Sequence, residues 1–554
     1  MANDSEARCV ATEGRCQALA CIVVPALALC VLLSGGCTSL TEWRRNGFKV
    51  GPNYRRPAAP VAAEWIDDAD PRVDSARPVD DDWWELFGDP ELNGLIETAY
   101  RQNLDLRTAG TRILEARAKR NIAAGNLFPQ SQGALGAYAH AQLGNDLIPG
   151  LPLPNTLNFW TTGFNASWEL DFWGRYRRSI EAANAEFDGS VEAYHDAMVL
   201  LLAEVAANYV QLRTFQQRLE FAYRNVEVQH GSLEIAEARF HDGTTSELDV
   251  QQARSSLSQT RSAIPPLKAG LRQASNRLCV LLGVPPHELA GLLKRQPIPV
   301  ASPQVAVGIP ADLLRRRPDI RRAERAVAAQ SAQIGVATAD LYPRFALNGY
   351  LGYAADDLKD LFASKSFTSF IIPTFQWNIL NYGRLRNNIR GQEAKLRGKV
   401  LDYQQTVLKA DREVEDALVA FLQSQEQANE LAESARATQR SVELVVAQYK
   451  GGIADFNRVY NTQSLLATQQ DQVAQVQGNI ATNLIAVYRA LGGGWQYFAC
   501  RSTNGVREGL PATREPLVEA QEEGESVIPK PGDTKPNRSE ELVAPKDPHD
   551  DSSK

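Results

Sequence analysis

The chain has 554 residues, 44% of them hydrophobic and 23% charged, with a net charge of −7. That balance is far from the basic surface that nucleic-acid binding favours, so no nucleic-acid partner is expected. Only Cys279 and Cys500 lie beyond the first forty positions, which excludes a disulfide framework. Apolar-flanked Cys279 reads as a buried thiol, a Cys279–Cys500 bridge in an oxidising space being the alternative.

Residues 1–36 read as a signal peptide. The stretch from Gln17 to Leu33 is apolar, follows Arg8 and Arg15, and closes on Leu33-Ser34-Gly35-Gly36-Cys37-Thr38. Small residues ahead of a cysteine resemble a bacterial lipobox, which makes Cys37 the expected lipidation (palmitate) site. Ser34 stands where that pattern has Leu, and Asp4, Glu6 and Glu13 dilute the positive n-region. A plain cleaved signal or a retained membrane anchor is the alternative. Residues 37–82, rich in Pro and Asp from Lys49 onward, read as an unstructured lipid-anchored tether. Beyond Cys37 there is no run of about eighteen apolar residues, so no further helix is expected to span a bilayer.

The body of the chain reads twice. Trp168, Gly174, Arg175 and Arg177 recur as Trp377, Gly383, Arg384 and Arg386, roughly 209 residues further on, and Leu282-Gly283 returns as Leu491-Gly492. Residues 83–300 and 305–495 are expected to be two repeats of helix, two strands, very long helix, tight turn and helix. In the first, strands are expected at about 130–142 and 158–173 and the long helix at about 178–241. In the second, they are expected at about 344–353, 369–381 and 388–450.

The strands alternate in polarity. Trp160, Thr162, Phe164, Ala166, Trp168 and Leu170 fall on one face, and Thr161, Gly163, Asn165, Ser167 and Glu169 on the other. Phe345, Phe375 and Trp377 continue the oily face in the second repeat. A soluble sandwich would alternate similarly, but aromatic strand ends and strands of about ten residues match a membrane barrel, with Trp160, Phe164, Trp168, Phe345, Phe375 and Trp377 facing lipid. Unpaired strand edges in hydrocarbon cost several kcal/mol per backbone group, so only closed barrels span a bilayer. Four strands fall short of the roughly eight in the smallest barrels, so several copies must contribute.

The long helical segments place apolar residues about every 3.5 positions, the coiled-coil period. At about 1.5 Å per residue each reaches about 90 Å, several bilayer thicknesses. Periodicity alone fits a lipid-anchored periplasmic coiled-coil scaffold without a pore as well as a conduit.

Longer motifs narrow the choice. VGPNYRRP (Val50 to Pro57), DDWWELFGDPELNGLI (Asp81 to Ile96), SWELDFWGRYRRSIEAA (Ser167 to Ala183), GIPADLLRRRPDIRRAERAVAA (Gly308 to Ala329), IGVATADLYPRFAL (Ile334 to Leu347) and YRALGGGW (Tyr488 to Trp495) resemble the outer membrane efflux protein family. Within these TolC-like ducts the chain is similar to the NodT-type lipoproteins. The resemblance implies an α+β membrane protein in which a homotrimer joins four strands per chain into a twelve-stranded β-barrel, continued by an α-helical coiled-coil barrel across the periplasm. It implies a passive outer membrane channel that takes drugs or other small toxic compounds from an inner-membrane pump of the resistance-nodulation-division (RND) type and a periplasmic adaptor (membrane fusion) protein. A type I secretion or metal-efflux exit duct of the same fold is the alternative.

The same resemblance marks the turns that end the long helices. Gly243, Thr245, Ser246, Leu248, Asp249 and Val250 on the first, with Gly452, Ile453, Asp455, Phe456, Arg458 and Val459 on the second, are expected to meet the adaptor and form the periplasmic gate. Each turn places a permissive glycine where the chain reverses, followed by polar helix-capping residues. Three copies of an acidic side chain around a pore would attract cations and repel anions. Arg458 and Asn461 stand where family members carry acids, so Asp455 and an Asp249–Arg458 contact are expected to make the gate.

No catalytic constellation emerges. The six histidines show no metal-ligand spacing, and no phosphate loop or nucleophile elbow is present, so no metal or cofactor is expected. The arginine-rich run from Arg315 to Arg322 reads as a helix start. Residues 496–554, polar and proline-rich, read as a disordered tail.

Overall fold

The computed structural model describes residues 40–142, 156–289, 293, 296–300 and 302–499. Cys37, Cys500, the expected signal peptide and the expected tail from 500 onward lie outside the described residues, whereas 496–499, also read as tail, are helical and bury Phe498 against Trp84 and Tyr100.

The principal helices, 3-10 turns aside, are α1 Leu40–Arg45, α2 Pro90–Gln102, α3 Leu104–Gly125, α4 Arg175–His241, α5 Glu247–Leu281, α6 Leu313–Arg316, α7 Pro318–Ala339, α8 Arg384–Lys450 and α9 Phe456–Ala490. α3 and α7 are both 22 residues long, α4 and α8 both 67, and α5 and α9 both 35. Local chemistry sets the boundaries. Asp89 caps α2 by accepting from the amides of Glu91 and Leu92, with Pro90 at the first position, and Asn103 caps α3 through the Leu106 amide.

The long helices cohere through one apolar seam. Leu202, Val205, Tyr209 and Leu212 of α4 share a core with Val407, Val414, Leu418 and Phe421 of α8 and with Leu484, Val487 and Tyr488 of α9. α5 packs on α4, α9 on both α8 and α4, and α7 lies between α4 and α8. At about 1.5 Å per residue, α4 and α8 each extend about 100 Å.

Strands β2 Ser131–Gln142, β3 Thr156–Leu170, β5 Arg344–Ala355 and β6 Phe367–Gln376 form an antiparallel sheet in the order β2-β3-β5-β6. β3 and β6 stop earlier than the alternation predicts. After Leu170 the chain is diverted because the Asp171 carboxylate accepts from the amides of Tyr176 and Arg177 and caps α4. After Gln376 it enters a turn in which Tyr382 has φ 50° and the Asn378 carbonyl accepts from Asn381.

The segment read as a tether is packed against the body instead. Val50 and Trp65 are 1% and 3% exposed, and Trp65 Nε1 donates to the Gly308 carbonyl at 2.7 Å. β1 Val73–Asp74 pairs in parallel with β4 Val305–Ala306. Buried Arg178 donates to the carbonyls of Val50 and Gly51, both at 3.0 Å, and to Asn53 Oδ1 at 2.9 Å. Gly51 has φ 80° and lies so near α7 that a Cβ would stand 2.5 Å from Gly335 Cα. Proline and aspartate gave the strap a disordered composition, while its partners sit more than a hundred residues away, beyond the reach of any local pattern.

Candidate functional site

Two regions hold the expected site residues that the structure describes: the four-stranded sheet, and the paired turns that follow α4 and α8. Cross-strand partners in an antiparallel sheet share a face. Trp160 pairs with Tyr138 and Ala355, Phe164 with Ala134 and Leu351, Trp168 with Leu347, and Phe345 with Leu170 and Phe375. Trp160, Phe164, Trp168, Phe345 and Phe375 therefore lie on one face, with Phe164 and Phe375 largely exposed. Trp377 lies one residue past the end of β6.

Aromatic rings gather at both ends of this face. At one end Tyr138 and Trp160 lie 4.3 Å apart and Tyr353 and Phe367 5.8 Å apart; at the other, Phe172 lies 5.6 Å from Phe345 and Trp173 lies 4.5 Å from Tyr342. Between the Trp160 and Leu170 rows the face is about ten residues deep, about 33 Å along the strand. A tilt of about 40° reduces that to the roughly 25 Å apolar band of a membrane barrel. Trp168 and Trp377 occupy matching settings, their Nε1 atoms donating to the carbonyls of Leu127 at 3.1 Å and Leu341 at 3.0 Å.

The opposite face carries a polar rung across three strands. Ser167 Oγ donates to Asn348 Oδ1 at 2.8 Å, and Asn348 Nδ2 donates to Thr374 Oγ1 at 3.0 Å. Where sheet meets helices, Arg175 lies between Glu169 and Asp340, and Asp340 also holds Arg344 at 2.7 Å. β2 departs from the alternation. Its Gln132 shares the apolar face, where it donates to the Pro129 carbonyl. Beyond the Trp160 row that face turns polar, with His140 Nδ1 2.7 Å from Asn158 Oδ1.

At the far end of α4, Gly243 has φ 69°, and at the end of α8, Gly452 has φ 74°. The two turns are joined by a small core of Ala236, Val250, Ala253, Val445, Tyr449, Phe456 and Val459. Val250, Phe456 and Val459 thus serve packing, whereas Leu248 and Ile453 are 63% and 81% exposed. Asp455 caps α9 by accepting from the Arg458 amide at 3.0 Å. Ser246 occupies the position before α5 without a side-chain capping bond.

The Asp249–Arg458 contact is not formed among the described residues. The Asp249 carboxylate accepts from the Thr245 hydroxyl and from Tyr449 Oη at 3.4 Å. Arg239, which the sequence reading missed, donates to the Tyr449 carbonyl and lies over that ring. Burial raises the Tyr449 phenol above its usual pKa. The available signal is that Tyr449 follows Phe240 by the same offset of roughly 209 residues as Trp377 follows Trp168, and adds a hydroxyl.

A sheet with one apolar face between two aromatic belts, mounted on very long helices, defines the outer membrane channel class. The profile of the Outer membrane efflux protein family matches residues 95–284 and 309–493, and the chain belongs to that family as an outer membrane efflux channel. It is 31% identical over 439 residues to the pyoverdine export outer membrane protein OpmQ of Pseudomonas putida, covering 77% of this chain and 91% of that protein. It is 30% identical over 455 residues to the cation efflux system protein CusC of Escherichia coli O157:H7, covering 81% and 96%. Among solved structures, the outer-membrane channel OprN aligns with a TM-score of 0.77 and 33% identity over 81% of this chain and 99% of that one.

Proposed function

We propose that the chain is a duplicated unit that works as a homotrimer, three sheets closing into a twelve-stranded barrel and the long helices continuing it as a periplasmic duct. The observation that carries this reading is the sheet order, which leaves β2 and β6 as edges without partners among the described residues. A bilayer does not tolerate such edges. The helices support it. α7 is covered by both α4 and α8, whereas α3, of equal length, packs chiefly on α4 and leaves Leu114 and Ile122 61% and 67% exposed. The α8 of a neighbouring copy would cover them.

In this reading the tips dock on a periplasmic adaptor through exposed Leu248 and Ile453, an RND-type pump supplies the cargo, and Cys37 bears the lipid. The tip core and the Arg239–Tyr449–Asp249 contacts narrow the duct and favour its closed state between openings. Relatives of similar identity are named for pyoverdine export and for cation efflux, so cargo choice rests with the pump. The test is purified protein in detergent and in planar bilayers. A three-chain mass with single-channel openings is expected; a monomeric mass without conductance would favour the scaffold.

A further inference from the structure

The polar face of the sheet is not uniform. From the helix-proximal end it carries Glu169, then Ser167 and Asn348, and then an aromatic pair. Tyr350 on β5 and Phe370 on β6 are register partners whose rings stack at 5.6 Å and 26°. The Tyr350 hydroxyl is turned into the wall, 2.8 Å from Thr161 Oγ1 and 3.3 Å from the Thr162 carbonyl oxygen.

Two glycines make room for it. Gly163 and Gly352 are register partners. A Cβ on Gly352 would stand 2.6 Å from Tyr350 Oη and 2.3 Å from the Thr162 carbonyl, and one on Gly163 would stand 2.6 Å from the Leu351 carbonyl. With no side chain at either position the tyrosine lies down along its strand. Its polar tip is satisfied, and Phe370 beside it is 47% exposed. A wall built only to be wetted would have no use for two rings laid flat, one with its hydroxyl already engaged and the other without a polar group.

We propose that Tyr350 and Phe370 form a flat apolar shelf on the inner wall of the barrel that binds planar, weakly polar aromatic solutes in transit, delocalised organic cations included. This rests on the barrel reading above. Ring faces attract other rings and cations without demanding a fixed hydrogen-bond pattern. Such a shelf holds varied cargo weakly, as an exit path requires.

The test uses the full-length protein in planar bilayers with ethidium as the probe, reading the interruptions it causes in single-channel current. Phe370→Leu and Tyr350→Leu are expected to shorten those interruptions about two- to fivefold, the scale of an exposed cation–ring contact. Tyr350→Phe, and Phe375→Leu on the lipid side, are expected to match the wild type. Because Tyr350→Leu removes the cover over two glycines, Phe370→Leu is the deciding variant. A conducting wild type that ethidium does not interrupt, or unchanged interruptions in Phe370→Leu, would overturn the shelf alone. A wild type without conductance would overturn the channel reading and the shelf with it.

Discussion

Arg239 reaches from α4 to the last turn of α8, its guanidinium carbon 4.6 Å from the Tyr449 ring centroid and its Nη1 donating to the Tyr449 carbonyl. A cation at a helix C-terminus meets carbonyls that have no partner within the helix. The contact therefore ties the ends of the two hairpins together. Arg239→Ala should remove about 1–3 kcal/mol of that tie and shift the closed–open balance at least about fivefold toward open. Single-channel recording would show it as longer open times, and unaltered open times would exclude Arg239 from gating.

Arg178 should matter to the strap more than to α4. Its side chain is 2% exposed, and it holds two carbonyls, Asn53 and Glu181. Burial raises the Glu181 pKa, but hydrogen bonds from Lys49 and Arg178 outweigh it and hold the group below its usual value. Arg178→Ala should cost about 3–5 kcal/mol, since it leaves buried acceptors unpaired. Limited proteolysis should then cut between residues 47 and 60, where the wild type resists.

Acid should loosen a different part of the strap. Hydrogen bonds from the Arg72 side chain and backbone lower Asp70 from 3.8 to about 2, and Arg72 in turn donates to the Leu422 carbonyl and to Glu426. A carboxylate depressed by folding adds stability that is complete above its unfolded value and lost as pH falls through its folded one. Protection from hydrogen exchange in residues 66–74, relative to the intrinsic rate at each pH, should be high above about pH 4 and fall toward about pH 2. Asp70→Asn should show the low protection already at neutral pH.

Phe421, fully buried where α8 meets the shared core, is the clearest packing test. Phe421→Ala should destabilise by about 3–5 kcal/mol. Thermal unfolding in detergent would reveal the loss, while the far-ultraviolet helix signal of the folded state stays unchanged.

Much of the architecture was legible because it is periodic. The two long helices end at His241 and Lys450, where the apolar spacing placed them, and the alternation put Trp160, Phe164 and Trp168 on one face. What escaped depends on contacts between distant positions. Trp65 meets Gly308, and Arg239 meets Tyr449, and neither pair leaves a spacing to read. Opposite charges suggest an Asp249–Arg458 pair beside Asp455 at the tip gate, yet the Asp249 carboxylate is engaged by the Thr245 and Tyr449 hydroxyls and Asp455 by the α9 cap. Charge alone gave no information on which neighbour was nearer.

The sheet has an even number of strands, and its margins, β2 and β6, run in opposite directions. Copies related by rotation can thus add margin to margin without breaking the antiparallel rule, each joint uniting unlike surfaces. Such heterologous joints end only when the circle closes and otherwise propagate as an open ribbon. The curvature of each four-strand stave therefore decides between a sealed cylinder and an aggregate.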